Sequence, residues 1–135
     1  MAAAETPNEK LIVDFFETLN REDLDGLRPL LHADAVWTPM SNSDIPGAGA
    51  HHGHKGIIDE FLVPVRGLFV GKDPYNTIES MISKGDMVAC ETHGAGKLNN
   101  GKTYDNRYCW IVQIKDGKIF QIREYMDTAY VQSLF

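Results

Sequence analysis

Cysteine is scarce in this 135-residue chain: the two present, Cys90 and Cys109, are too few for a disulfide scaffold and stand at no metal-ligand spacing. Reduced structural thiols are expected. Cations are outnumbered, 13 Lys and Arg against 19 Asp and Glu, giving a formal net charge of -6. That balance argues against a phosphate-tracking surface and so against nucleic acid as a partner. No apolar run nears the ~20 residues of a membrane span. The opening Met1-Ala2-Ala3-Ala4-Glu5 lacks both the basic start and the long apolar stretch of a signal peptide. The expectation is a soluble, cytoplasmic protein with no membrane partner. Repeats, linkers and low-complexity tracts are missing too, and 43% hydrophobic with 24% charged residues is an ordinary globular balance. One domain over residues 1–135 is expected.

What is present begins with helices. Thr6-Pro7-Asn8-Glu9 combines a capping threonine, a proline suited to the first turn and a glutamate three residues after the cap. Leu11, Ile12, Phe15, Phe16 and Leu19 then recur at helical spacing, which predicts a helix to about Asn20. Asp23 can cap a short second helix carrying Leu24, Leu27, Leu30 and Leu31, distorted by Pro29. Ala35–Met40 reads as a strand, Ser41–His54 as a loop, and Lys55 to about Val65 as a third helix. From Tyr75 onward short alternating runs are separated by Lys84-Gly85-Asp86, Asn99-Asn100-Gly101 and Lys115-Asp116-Gly117-Lys118, which predicts four antiparallel strands. Helices followed by a meander make an α+β domain with the helices over one face of a sheet.

Strand parity decides which side chains could share a pocket, because a one-residue slip exchanges the two faces. In the last strand the apolar Phe120, Ile122 and Met126 place Glu124 on the inner face. A three-residue Lys115-Asp116-Gly117 loop would align that face with Tyr108, Trp110, Val112 and Ile114, and would set Tyr108 opposite Glu124. A two-residue Asn100-Gly101 turn would set His93 opposite Tyr108 and Glu91 opposite Trp110; a register moved by two puts Glu91 beside Tyr108 instead. Either choice brings Glu124, His93, Glu91 and Tyr108 to one apolar face.

A carboxylate in such surroundings has a raised pKa and can serve as a general acid or base near neutral pH. The competing reading makes Glu124 the partner of Arg107 or His93 in a structural ion pair, with His93 a satisfied core histidine. The expected catalytic set is Glu124, His93, Tyr108 and Glu91. The expected binding lining is Trp37, Met40, Asn106, Trp110, Ile122 and Met126, with the Ser41–His54 loop over the mouth. His51, His52 and His54 lie in a Gly-rich loop with no partnered carboxylate, so no metal is expected. Gly47-Ala48-Gly49 lacks the Lys-Ser/Thr that completes a phosphate loop. Cys90 and Cys109 are expected on the outer face.

The run Gly56-Ile57-Ile58-Asp59-Glu60-Phe61-Leu62 after a His-Gly-His loop, and then Asp116-Gly117-Lys118-Ile119 leading into Ile122-Arg123-Glu124-Tyr125-Met126-Asp127, resembles the SnoaL-like, ketosteroid isomerase-related branch of the NTF2-like superfamily. The likeness runs from about Glu9 to Phe135. It implies a cone-shaped α+β fold (cystatin-like) whose mainly antiparallel sheet encloses an apolar pocket, and a homodimer. It further implies cofactor-independent acid/base chemistry on a hydrophobic, oxygen-bearing small molecule: isomerisation, cyclisation or elimination, as by an isomerase or lyase. Two alternatives follow from the same resemblance, a limonene-type epoxide hydrolase and a non-catalytic small-molecule-binding module. Glu124 falls where the epoxide hydrolases hold an inward aspartate on the last strand. Glu91 and His93 stand in place of their arginine and second aspartate, and Trp37 and Pro39 in place of their tyrosine and asparagine. The proton-shuttling aspartate of ketosteroid isomerases has Thr38-Pro39 at its station here, with Asp44 as the nearest substitute.

Overall fold

The computed structural model describes residues 4–135; residues 1–3, part of the segment on which the signal-peptide expectation rests, lie outside the described residues. Helix α1 spans Pro7–Asn20, as the apolar spacing predicts. Thr6 Oγ1 accepts the Glu9 backbone N–H at 3.1 Å, while the Glu9 carboxylate reaches back to the N–H of Glu5 rather than to that of the cap. Asp23 caps through Gly26 N–H, but the segment it opens, Asp25–Leu30, is a 3-10 turn around Pro29 and not an α-helix. Leu31 already belongs to strand β1 (Leu31–Pro39), which is longer at its start than the sequence suggests. Strand β2 is the pair His51–His52, so the end of the expected loop instead pairs with β1. Lys55–Leu62 is π-helical, its frame ending with Val63 N–H on Ile58 C=O, and it runs straight on into α2 (Val63–Arg66).

The second half is a meander of β3 (Tyr75–Lys84), β4 (Met87–Lys97), β5 (Thr103–Lys115) and β6 (Lys118–Met126). A last helix, α3 (Thr128–Ser133), is one the sequence reading leaves out; Asp127 caps it through Tyr130 N–H at 3.0 Å. Six strands form one open sheet in the order β2-β1-β6-β5-β4-β3, and every neighbour is antiparallel except β1 with β6. Helix α1 lies over the inner face of this sheet: Phe15 meets Trp37 at 5.6 Å between ring centroids, and Phe16 meets Trp110 at 5.2 Å. The core thus sits between helices and sheet, and no described helix is long and apolar enough to cross a membrane.

Two registers differ from expectation. Between β5 and β6 the turn is the two-residue Asp116-Gly117, with φ of 54° and 71°, not a three-residue loop. Both residues have positive φ, the requirement of a type I′ hairpin. A bulge at Phe120 then restores the parity that the longer loop would have supplied, since Ile114 pairs with Ile119 and Gln113 with Gln121. Ile119, fully buried, takes the inward station expected of Phe120, whose ring packs on His32 instead. Glu124 therefore stays inside, but its cross-strand partner is Trp110, and Tyr108 faces Met126.

Between β4 and β5 the register is one residue off the expected pairing: His93 faces Arg107, Glu91 faces Cys109 and Thr92 faces Tyr108. A slip of one turns every β4 side chain over. The reason lies in packing, because Val88, Cys90 and Thr92 are the β4 residues that fit the dry interior. Cys90 is buried inside while Cys109 is on the other face, so they do not share the outer surface and remain free thiols.

Candidate active site

Glu124 reaches the core because β1 runs parallel to β6. Pro39 pairs with Glu124 and Trp37 with Ile122, and Met40 N–H closes the ladder on the Glu124 carbonyl at 2.8 Å. Trp37 and Glu124 then point to the same side, and the indole N–H donates to Glu124 Oε1 at 2.8 Å. Only 8% of the Glu124 residue is exposed. Burial pushes its carboxyl up to about 7, more than the single indole hydrogen bond pulls it down. Oε2 has no hydrogen-bond partner among the described residues, and no fully enclosed side-chain nitrogen or oxygen among them lacks one. That oxygen must therefore open on to the cavity that Glu124 lines.

The cavity, about 90 Å³, holds several water-sized bodies and sits between the sheet, α1, α2 and the C-terminal segment. Its walls are largely apolar: Leu19, Phe61, Leu62, Trp110, Met126 and Val131 among them. Ile45 and Pro46 from the Ser41–His54 stretch line it, in keeping with that stretch standing over the mouth. Trp37 anchors an aromatic layer with Phe61 at 5.2 Å and Trp110 at 5.7 Å, and Trp110 stacks on Tyr108 at 5.4 Å. The Trp110 indole N–H is held by Thr92 Oγ1 at 2.8 Å, the inward residue that the true β4 register supplies.

Tyr108 shares a hydrogen bond between phenols with Tyr104, which lies four residues earlier on the same face of β5. Burial, reinforced by Tyr104 and by the Glu124 charge, holds the Tyr108 phenol well above its usual range, with Arg66 partly offsetting the effect. Tyr104 is pushed up to about 12 by burial. Both phenols keep their protons near neutral pH; one proton makes the bond between them and the other is free to donate.

The remaining expected residues divide. Trp37, Tyr108, Trp110, Glu124 and Met126 line the cavity together. Ile122 is buried without lining the cavity, and Met40 is 37% exposed just past the end of β1. Asn106 is buried but supports the wall from behind, its amide donating to Tyr104 Oη at 3.3 Å. His93 and Glu91 are not in the site: the one-residue register difference turns both to the outer face, where His93 pairs with Asp105 and Glu91 accepts from Ser80 Oγ at 2.8 Å. Arg107, also outside, pairs with Glu79 rather than with Glu124. The three loop histidines diverge as well. His51 stacks on Phe61 and donates to the Gly47 carbonyl, and His54 donates to the Leu31 carbonyl.

Residues the sequence reading passes over complete the wall: Tyr104, Asn76, Arg66, Val131 and Phe135. Tyr104 was legible by parity with Tyr108. The others come from elements whose approach to the site is purely tertiary. Arg66 is buried and fixed by Glu22 at 2.8 Å and by the Lys72 carbonyl at 3.1 Å. With Glu124 it makes one carboxylate and one guanidinium in an otherwise neutral lining.

This combination of helices over an open, mostly antiparallel six-stranded sheet, with an apolar cavity between the layers, is the NTF2-like (cystatin-like) fold. The SnoaL-like domain profile matches residues 12–122, and the chain belongs to that family. No curated protein matches it in sequence. Among solved structures, TerC co-crystallised with polyporic acid superposes with a TM-score of 0.85 at 23% identity, over 96% of this chain and 98% of that one. An NTF2-like protein of unknown function from Burkholderia pseudomallei K96243 gives 0.86 at 21% identity, over 96% and 97%. A protein described as a SnoaL-like polyketide cyclase, from Jannaschia sp. CCS1, gives 0.80 at 18% identity, over 98% and 94%. At these identities the likeness is one of fold.

Proposed function

We propose that this protein is a cofactor-independent acid/base enzyme acting on a compact, hydrophobic, oxygen-bearing molecule, moving a proton in an isomerisation, cyclisation or elimination. The observation that carries the reading is Glu124: a carboxyl raised to about 7, clamped through one oxygen by Trp37 and open to an apolar cavity through the other. A carboxyl poised there is half ionised near neutral pH, so it can take a proton from carbon and return it. In the forward step Oε2 removes a proton from a carbon next to a carbonyl, leaving a neutral acid and an enolate. Tyr108 donates a hydrogen bond to the enolate oxygen, and the bond from Tyr104 orients it. Reprotonation at a different carbon gives an isomer; loss of a leaving group gives elimination.

Hydrolysis of an epoxide by two cooperating carboxylates is less well supported, since Glu124 is the one side-chain carboxylate among the described residues of the lining. A non-catalytic binding role is the reading to which an inert Glu124 would lead. The proposal includes a homodimer through the outer sheet face, where Arg123, Tyr125 and Gln113 stand and Tyr125 is 41% exposed. It also includes a cytoplasmic location, in keeping with two free thiols. Sedimentation checks the dimer.

The test of the chemistry is solvent deuterium exchange at the carbon beside the carbonyl in a panel of cyclic ketones, 2-indanone among them. Wild-type protein should accelerate exchange and Glu124→Gln should not. Gln retains an oxygen for the Trp37 N–H, so the fold is preserved. Equal rates for the two proteins would remove Glu124 as the base.

A further inference from the structure

The polar end of the cavity contains a group that the chemistry above does not use. Asn76, on β3, is 5% exposed and lines the cavity. Its backbone is clamped from both sides by Asn20 at the end of α1: the Asn20 amide donates to the Asn76 carbonyl and its Oδ1 accepts the Asn76 N–H, each at 2.8 Å. The side-chain amide of Asn76 has no hydrogen-bond partner among the described residues. As no fully enclosed side-chain nitrogen or oxygen there goes unpartnered, this amide must open on to the cavity. Buried amides are almost always hydrogen-bonded, and one left open in a rigid setting is a recognition group awaiting an oxygen or N–H.

The cross-strand partner explains how there is room. Asn76 pairs with Gly94 on β4, and a Cβ built on Gly94 would meet Tyr108 Cε1 at 3.0 Å, Asn76 Oδ1 at 3.1 Å and Tyr108 Oη at 3.7 Å. The missing side chain is thus the space into which the amide and the phenol both lean, within about 7 Å of each other. A side chain at position 94 would push one of them aside.

We infer that Asn76 is a substrate-anchoring residue: its amide hydrogen-bonds a hydroxyl or carbonyl oxygen of the ligand at a station beside Tyr108 that Gly94 keeps open. The inference deepens the proposed function and rests on it only in taking the cavity as the ligand site.

Phenol and toluene are near-isosteric probes that differ in one oxygen, and their binding can be followed by NMR titration without any turnover. Wild-type protein should prefer phenol by about tenfold, the worth of one good hydrogen bond. Phenol should also shift the Asn76 side-chain amide protons downfield where toluene does not. Asn76→Leu, close in shape, should bind toluene unchanged and lose the preference. No preference in the wild type, no binding of either probe at millimolar concentration, or a preference that survives Asn76→Leu each overturns the assignment. If Asn76→Leu does not fold, the amide shift in the wild-type protein decides. An inert Glu124 in the exchange assay leaves this binding result standing, so the two readings fail separately.

Discussion

The two faces of one sheet carry much the same residue types and put them to different use. Outside, His93 pairs with Asp105, Arg107 with Glu79, and Glu91 accepts from Ser80, all within reach of water. Inside, a single carboxyl meets an indole N–H in a dry layer of Trp37, Phe61 and Trp110. Water solvates the outer charges and makes their pairings worth little. Its exclusion from the inner face drives the Glu124 carboxyl to about 7 and keeps the phenols of Tyr104 and Tyr108 protonated. Chemical readiness here follows from burial rather than residue type.

The largest test of that contrast is to remove the inner carboxyl. Glu124→Gln should lower the catalysed exchange rate by about 10² to 10⁴-fold, the usual range for a lost general base, read by loss of the substrate proton signal in D₂O. The same variant bears on stability. A carboxyl whose pKa is raised on folding holds its proton in the folded state where the unfolded chain has lost it, so its stabilising effect is complete below about 4.5 and is lost as pH rises to about 7. Urea unfolding of the wild type against Glu124→Gln should therefore diverge by about 3 kcal/mol between those limits, the variant gaining on the wild type toward neutral pH.

A smaller effect is expected from Trp37→Phe, which keeps an aromatic group but deletes the N–H and leaves a small void in the packed layer. As that bond holds the carboxyl down, the Glu124 pKa should rise above 7 in a carboxyl-detected NMR titration, and stability should fall by about 2 kcal/mol. The smallest effects belong to the outer face. His93→Ala and Glu91→Ala should each change unfolding free energy by less than about 0.5 kcal/mol and leave the exchange rate within about twofold. A large rate loss in either would mean that the two faces are coupled.

Helix α1, from its Thr6 cap to Asn20, was legible because every signal it needs is local. Glu124 was legible by alternation along its own strand, and so was its company with Tyr108, Trp110 and Met126. The place of His93 and Glu91 was not. It depends on the register between β4 and β5, which sets Lys97 opposite Thr103 instead of closing on a two-residue Asn100-Gly101 turn. The winning register is the one that buries Val88, Cys90 and Thr92, a matter of how the far wall packs. The Asp116-Gly117 turn with its Phe120 bulge shows the same logic: two errors in local geometry cancelled because the hydrophobic face had to stay inward.

The amino-acid sequence by itself thus determined the class of fold, the inward face of each strand with an unambiguous apolar pattern, and the carboxyl at Glu124. Tertiary structure alone decided what surrounds that carboxyl. The parallel pairing of β1 with β6 brings the Trp37 N–H to it, α3 and the chain's end bring Val131 and Phe135, and the Asn76–Gly94 pairing opens an amide into the same space. The physical reason is range: side-chain alternation and helical spacing are fixed by backbone geometry over a few residues, whereas register and burial are settled by contacts between segments distant along the chain.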